Sequence, residues 1–339
     1  MLPRDDLNQT SCGFCCCSLA NRLLVVTFMI LLSVAILFGN SVSLAVFLSA
    51  KQFRTSQGYL RISLAVADMA LGVLVVPFSV YAELSLLSGN SSFRDWSREP
   101  SSGSSSGSLC AVVGPVFAGC TLVSISTVFL LAMERSVAIL KPLHKEAVLT
   151  RRRTLLLILL SWLSSFFLAL CPLLFGRGGI VVEYDRCSRL CNYAPAPASP
   201  ASAWNLLLLF PAFDFSLLGA TLVINALSFT AIRQYSRRRK QLAGNEQGLL
   251  RLPCSDLKAA KTIGILTLAF TASFAPIAVF LVGNVLGYQW CTFSFFAFWI
   301  LTSNSCWNAI IYSVQDQRFR EGARRLLLPG QCHGLHSQH

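Results

Sequence analysis

Apolar residues along this chain gather in long runs, not in the alternation of a strand or the single stripe of a soluble helix. Seven runs stand out, at about 22–49, 58–86, 108–140, 153–175, 203–233, 257–287 and 292–313. A helix needs roughly 20 mostly apolar residues to cross a bilayer, so each run is predicted to span. The second, third and fifth carry polar positions inside the apolar window. An eighth stretch, about 315–328, sets Phe319, Leu326 and Leu327 against Arg318, Arg320, Arg324 and Arg325. That pattern predicts a short amphipathic helix lying along the membrane surface. The Ser/Gly-rich segment 101–108 and the Pro/Ala-rich segment 194–203 are predicted loops. The expected organisation is an extracellular N-terminus (1–21), a seven-helix membrane domain (22–313) and a cytoplasmic tail with the amphipathic helix (314–339). The fold class is an all-α seven-transmembrane bundle.

Composition agrees. Of 339 residues, 54% are hydrophobic and only 13% charged, against roughly 25% charged in soluble domains. A soluble enzyme, a nucleic-acid-binding domain and a small disulfide scaffold are thereby disfavoured. Residues 1–21 hold no apolar core with a small-residue cleavage site, so the first spanning helix is expected to act as the signal. No internal repeat is visible, which argues against many transporter folds.

The net charge of +13 resembles a nucleic-acid footprint until its placement is considered. With the N-terminus outside, 21 of the 28 Lys and Arg residues fall on inner segments. Arg4, Arg22, Arg94, Arg98, Arg177, Arg186 and Arg189 remain outside. This asymmetry predicts a multi-pass plasma-membrane protein, N-terminus out and C-terminus in, with a basic inner face for anionic lipid and a protein partner. No nucleic-acid partner is implied. Glycosylation sequons at Asn8 and Asn90 both fall on the expected outer side.

The chain has 13 cysteines. Cys12, Cys15, Cys16, Cys17, Cys110, Cys187, Cys191 and Cys291 fall on the oxidising side, where disulfides persist. A bridge from Cys110 to Cys187 or Cys191 would pin the long loop before the fifth helix over the bundle, with the partner left open. The Cys12–Cys17 cluster lacks the spacing and the neighbouring His of a metal site. Cys332, beyond the amphipathic helix, is a palmitoylation candidate.

Polar residues inside spans cost several kcal/mol and each asks for a reason. Charged, polar, aromatic or proline positions mark each helix in turn: Asn40 after Gly39, Asp68 in Leu64-Ala65-Val66-Ala67-Asp68, Glu134-Arg135-Ser136, Trp162, Pro211, Phe270 with Pro276, and Asn308 with Tyr312. In this order the set resembles the rhodopsin-like G-protein-coupled receptors, over about 22–330, with the second helix most like that of amine receptors. The resemblance implies a receptor, not an enzyme, that passes an extracellular ligand signal or constitutive activity to heterotrimeric G proteins. It also implies a sodium site of oxygen donors at Asp68, Ser124, Asn304, Ser305 and Asn308. No other cofactor is implied. Glu134, Arg135, Asp256, Asn308 and Tyr312 match its activation and G-protein-coupling positions, with Arg135 able to reach Glu134 or Asp256.

Ligand-cavity positions of that family correspond to Phe117, Thr121, Phe274, Ile277, Leu281, Phe298 and Thr302, a mostly apolar and aromatic set. Amine receptors place an acid where this chain has Phe117, so a monoamine bound in that manner is not expected. Glu83, near the outer end of the second helix, is the acid that could face the cavity instead. Asp214, three residues past Pro211, has no role under the resemblance. Retinal is excluded, because its Schiff base needs a lysine in the seventh helix and Thr302 holds that position.

Three departures fall in the activation machinery. Ser136 replaces an aromatic, Phe274 replaces a tryptophan before Ala275-Pro276, and Ala309 replaces a proline after Asn308. Gly219 also stands where a tyrosine is usual. They keep a second reading open, a receptor-like protein that does not signal alone and pairs with another receptor. A transporter or channel is a weaker alternative, and a membrane enzyme lacks its motifs.

Overall fold

A computed structural model describes residues 19–49, 53–88, 107–140, 150–176, 179–196, 206–242, 254–288 and 290–327. Asn8, Asn90, Cys332 and the Cys12–Cys17 cluster lie outside the described residues, as does the side chain of Asp256.

Seven long helices form the bundle: α1 (Leu19–Ser49), α2 (Ser56–Leu87), α3 (Gly107–Leu140), α4 (Arg151–Phe175), α5 (Leu209–Leu242), α6 (Cys254–Val285) and α7 (Cys291–Gln315). The short α8 (Gln317–Leu327) follows. Among the described residues, six of these helices are long and apolar enough to cross a membrane. The exception is α7, which spends positions on Asn304, Ser305 and Asn308, all turned into the bundle. Its apolarity falls because its polar groups face protein and not lipid.

The helix ends follow local chemistry. Thr55 and Thr150 cap α2 and α4, their hydroxyls accepting from the Gly58 and Arg153 amides. α2 is interrupted by a π-helical turn, Leu71–Val75, just ahead of Pro77. Proline there removes a backbone donor and loosens the turn before it. The carbonyl of Gly72 is satisfied from another helix, by the Ser33 hydroxyl at 3.1 Å.

Of the six apolar spans, α3 is the most deeply buried and α4 the least. Leu155, Leu156, Leu159, Leu160, Leu163 and Phe167 on α4 are exposed, as expected of a lipid-facing surface. The core runs along α3 and gathers Phe117, Phe270, Phe274, Phe298 and Trp299. α1 meets α7 closely: a Cβ on Gly39 would stand 2.9 Å from that of Ala309. Glycine at 39 thus permits the tight α1–α7 contact.

One element was not expected. The loop between α4 and α5 folds as an antiparallel hairpin, β1 (Ile180–Asp185) paired with β2 (Leu190–Pro195). It lies on α3, so closely that a Cβ on Gly114 would meet Val182 at 2.5 Å.

Candidate functional site

The polar groups of the bundle sit in three tiers. The first, at the hairpin end, grows from the turn between β1 and β2. Asp185 opens that turn: its carboxylate accepts from the Cys187 and Ser188 amides at 2.9 and 3.1 Å. The chain then passes through Arg189 in the left-handed region, φ 59°. A non-glycine residue in that region signals a constrained site. The turn drives Arg189 into the bundle, where it is only 3% exposed.

There Arg189 meets Glu83 of α2, itself 2% exposed. The guanidinium donates to Glu83 Oε2, and the Tyr184 hydroxyl donates to Oε1 at 2.8 Å. Arg22 of α1 stands 4.0 Å from the same Oε2. Burial, followed by the neighbouring Glu83 charge, pushes the Tyr184 hydroxyl well above its ordinary range, so it stays a donor. Trp299 of α7 donates from its indole to the Ser188 carbonyl at 2.9 Å.

Two disulfides fix this tier. Cys110 at the start of α3 pairs with Cys191, which settles the choice left open by the sequence. Cys187 pairs instead with Cys291 at the start of α7, a bridge the sequence reading did not assign. The hairpin turn is therefore held to α3 and α7 together.

Below it lie the cavity-lining positions. Phe117 and Phe298 approach with ring centroids 6.1 Å apart, and Phe298 also packs edge-on against Phe280. Phe274 stacks on Phe270. Thr121 and Thr302 turn their hydroxyls back to the carbonyls of Phe117 and Phe298. Neither offers a free donor inward, so the set presents rings and methyls. Ile277 is buried and Leu281 half-buried beside them. Clefts of about 290 Å³ between α5 and α6 and about 230 Å³ between α7 and α8 lie away from this set.

The second tier is centred on Asp68. Asn308 donates to its Oδ2 at 2.6 Å and Ser124 to its Oδ1 at 3.4 Å. Ser305 is a further hydrogen-bond partner. Asn40 braces the group from α1 by donating to the Ser305 and Ile36 carbonyls, both at 2.9 Å. Asn304 is buried nearby in the chain, on α7. Among the described residues, the amide oxygens of Asn304 and Asn308 are buried without a hydrogen-bond partner. Orphaned acceptors of this kind are costly, and with a carboxylate they make a donor set suited to a hard cation.

The third tier is at the opposite end. Arg135 lies 3.2 Å from Glu134, one residue before it, with Glu134 nearly fully buried. Tyr312 is buried among Phe47, Phe53 and Phe319. Two residues that the sequence reading left out of the site, Arg61 and Asp316, join here at 2.9 Å. No local pattern links them, since 255 residues separate the two in sequence. Asp214 of α5 is half-buried, at helical spacing from buried Pro211, Leu218 and Thr221. Its Oδ1 has no hydrogen-bond partner among the described residues.

Residues 39–312 match the 7 transmembrane receptor (rhodopsin family). The chain belongs to that family. A rhodopsin-family receptor is not an enzyme, and membership also sets the transporter reading aside. It is 24% identical to the Alpha-1A adrenergic receptor of Oryzias latipes over 95% of its own length and 71% of the relative's. It is 25% identical to Melanopsin of Branchiostoma belcheri over 85% of its length but only 40% of the relative's. It is 31% identical to 5-hydroxytryptamine receptor 5B of Rattus norvegicus over 53% of its length and 44% of the relative's. This rhodopsin-family chain thus spans less than half the length of two of the three relatives.

Proposed function

We propose that this receptor passes a signal from its hairpin end, lying outside the cell, to heterotrimeric G proteins at its basic end. The observation that carries the reading is the Glu134–Arg135 pair at the end of α3, beneath the Asp68–Asn308 tie between α2 and α7. The Asp68–Asn308 contact joins two helices whose relative motion would break it, while the Glu134–Arg135 pair lies within α3 and holds the arginine side chain back along its own helix. Signalling is then a shift between two arrangements of the same helices. The orientation is supported by both disulfides lying at one end and by the sequence, in which 21 of 28 basic residues fall on the segments expected inside.

The ligand is not a monoamine anchored on α3, although two relatives are named for adrenergic and 5-hydroxytryptamine receptors. Phe117 occupies the acid's place, and Glu83 already carries Arg189 and Tyr184. An ammonium brought to Glu83 would have to displace a buried guanidinium. The ring-and-methyl lining of Phe117, Phe298, Ile277 and Leu281 suits an apolar ligand.

Asp68, Ser124, Asn304, Ser305 and Asn308 would hold a sodium ion, which would supply the missing partner for the two orphaned amide oxygens. Replacing potassium by sodium should raise the thermal unfolding midpoint of the purified receptor. The gain corresponds to roughly 1.4–2.7 kcal/mol if sodium stands at ten to a hundred times its Kd. Asp68→Asn should abolish that difference, and an unchanged difference would remove sodium from the site.

The signalling reading is tested in cells without added ligand. Expression should shift basal second-messenger level through at least one G protein, and Arg135→Ala should return it to that of untransfected cells at equal surface density. No shift with any G protein, despite surface expression, would favour the silent-partner reading.

A further inference from the structure

Arg61 is a buried arginine near the first turn of α2, 6% exposed, in a mainly aromatic surround. Its guanidinium carbon lies 4.7 Å from the ring centroid of Tyr312 and 5.6 Å from that of Phe47. Both distances are within the range of an attractive cation–ring contact, which strengthens when water is excluded. Its Nη1 donates to Asp316 Oδ2 at 2.9 Å.

Asp316 is the single residue between α7 and α8. Its other carboxylate oxygen caps α8, accepting from the Arg318 and Phe319 amides at 3.1 and 3.3 Å. Its own amide donates to the Tyr312 carbonyl at 2.9 Å. One cation on α2 therefore grips Tyr312 by its ring and the α7–α8 joint by its carboxylate. The hydroxyl of Tyr312 is buried and has no hydrogen-bond partner among the described residues. That leaves ring contacts, with Arg61, Phe47 and Phe319, to fix where Tyr312 sits.

We propose that Arg61 is a positioning residue that clamps Tyr312 and the α7–α8 joint against α2, and that release of this clamp accompanies activation. Two sets of ties join α2 to α7 and its end: Asn308 to Asp68 and, one turn further along α7 and two turns back along α2, Tyr312 and then Asp316 to Arg61. The second is the one nearer the Glu134–Arg135 end, where a G protein would dock. A two-state element that both arrangements bias differently is what coupling requires. This inference rests on the signalling reading, but the clamp itself can be measured without a G protein.

The experiment uses full-length receptor in lipid nanodiscs, with two readouts on wild type, Arg61→Leu, Arg61→Lys and Asp316→Asn. The first is hydrogen–deuterium exchange over residues 308–320. The second is receptor-stimulated nucleotide exchange on purified Gα. Arg61→Leu and Asp316→Asn should speed amide exchange over 308–320 about tenfold and raise basal nucleotide exchange at least threefold. Arg61→Lys keeps the charge but not the planar stacking, and should fall between. Asp316→Asn spares the aromatic cluster, so it carries the test if Arg61→Leu fails to fold. Unchanged amide exchange over 308–320 in both variants would overturn the clamp, as would unchanged nucleotide exchange beside an active wild type. Faster amide exchange with no nucleotide exchange from any protein would support the clamp and count against the signalling reading.

Discussion

Arg189→Ala is expected to lower stability by about 3–5 kcal/mol, the cost of removing one partner from a buried ion pair. The loss is large because of what remains behind. Glu83 would keep the Tyr184 hydroxyl at 2.8 Å, and its nearest cation would be Arg22 at 4.0 Å. A carboxylate so enclosed by α1, α2 and the hairpin cannot recover its lost hydration without opening the bundle. The thermal midpoint of the purified receptor should fall, and surface expression with it. The double variant Glu83→Gln with Arg189→Met should recover most of the loss, because it removes the charge and its unpaired partner together. A single variant as stable as the double would mean that the pair carries no weight.

Breaking the second bridge by Cys187→Ser with Cys291→Ser is expected to cost about 2–5 kcal/mol. The bridge joins residues 104 apart in sequence, so it closes a long loop of the unfolded chain. It also holds the turn from which Ser188 accepts the Trp299 indole proton. Losing it frees one side of the turn while Cys110–Cys191 still holds the other. Trp299 fluorescence should shift to the red as water reaches the indole, and the thermal midpoint should drop. An unchanged spectrum and midpoint would show that the Cys110–Cys191 bridge alone seats the hairpin.

These two effects concern the part of the molecule that was least legible in its sequence. Apolar runs located the seven helices to within a few residues, because a lipid-facing helix must be apolar over most of its length. The exception was α5, expected at 203–233 and found at Leu209–Leu242. Its start was blurred by apolar Leu206 and Leu207 after the Pro/Ala-rich loop. Its end was missed because Arg237, Arg238 and Arg239 end an apolar window without ending a helix. The Asp68 tier was legible through the family resemblance, and hydrogen bonds do join Asp68 to Ser124, Ser305 and Asn308. Arg189 was not, since its role depends on a hairpin turn with a left-handed residue that no local pattern announced. The role of Arg61 was hidden for a similar reason. Its charge counted toward orientation, and only the fold brings Asp316 to it. Phe117 and Phe298 were named as cavity lining and do come together, yet they meet ring to ring, with both neighbouring threonine hydroxyls turned to backbone.

The departures from the family's pattern also acquire a setting. Phe274 stacks on Phe270 and is buried, so its ring serves as packing in the core. Ala309 packs against Gly39 of α1, where a side chain on the glycine would crowd it. Nothing in the structure explains Ser136.

Purified receptor in nanodiscs, without ligand, should accelerate nucleotide exchange on at least one class of purified Gα, and Arg135→Ala should abolish that acceleration while leaving the thermal midpoint within a few degrees of wild type. No acceleration of any Gα class by a folded wild-type receptor and by Arg61→Leu alike, or equal acceleration by wild type and Arg135→Ala, would contradict the account.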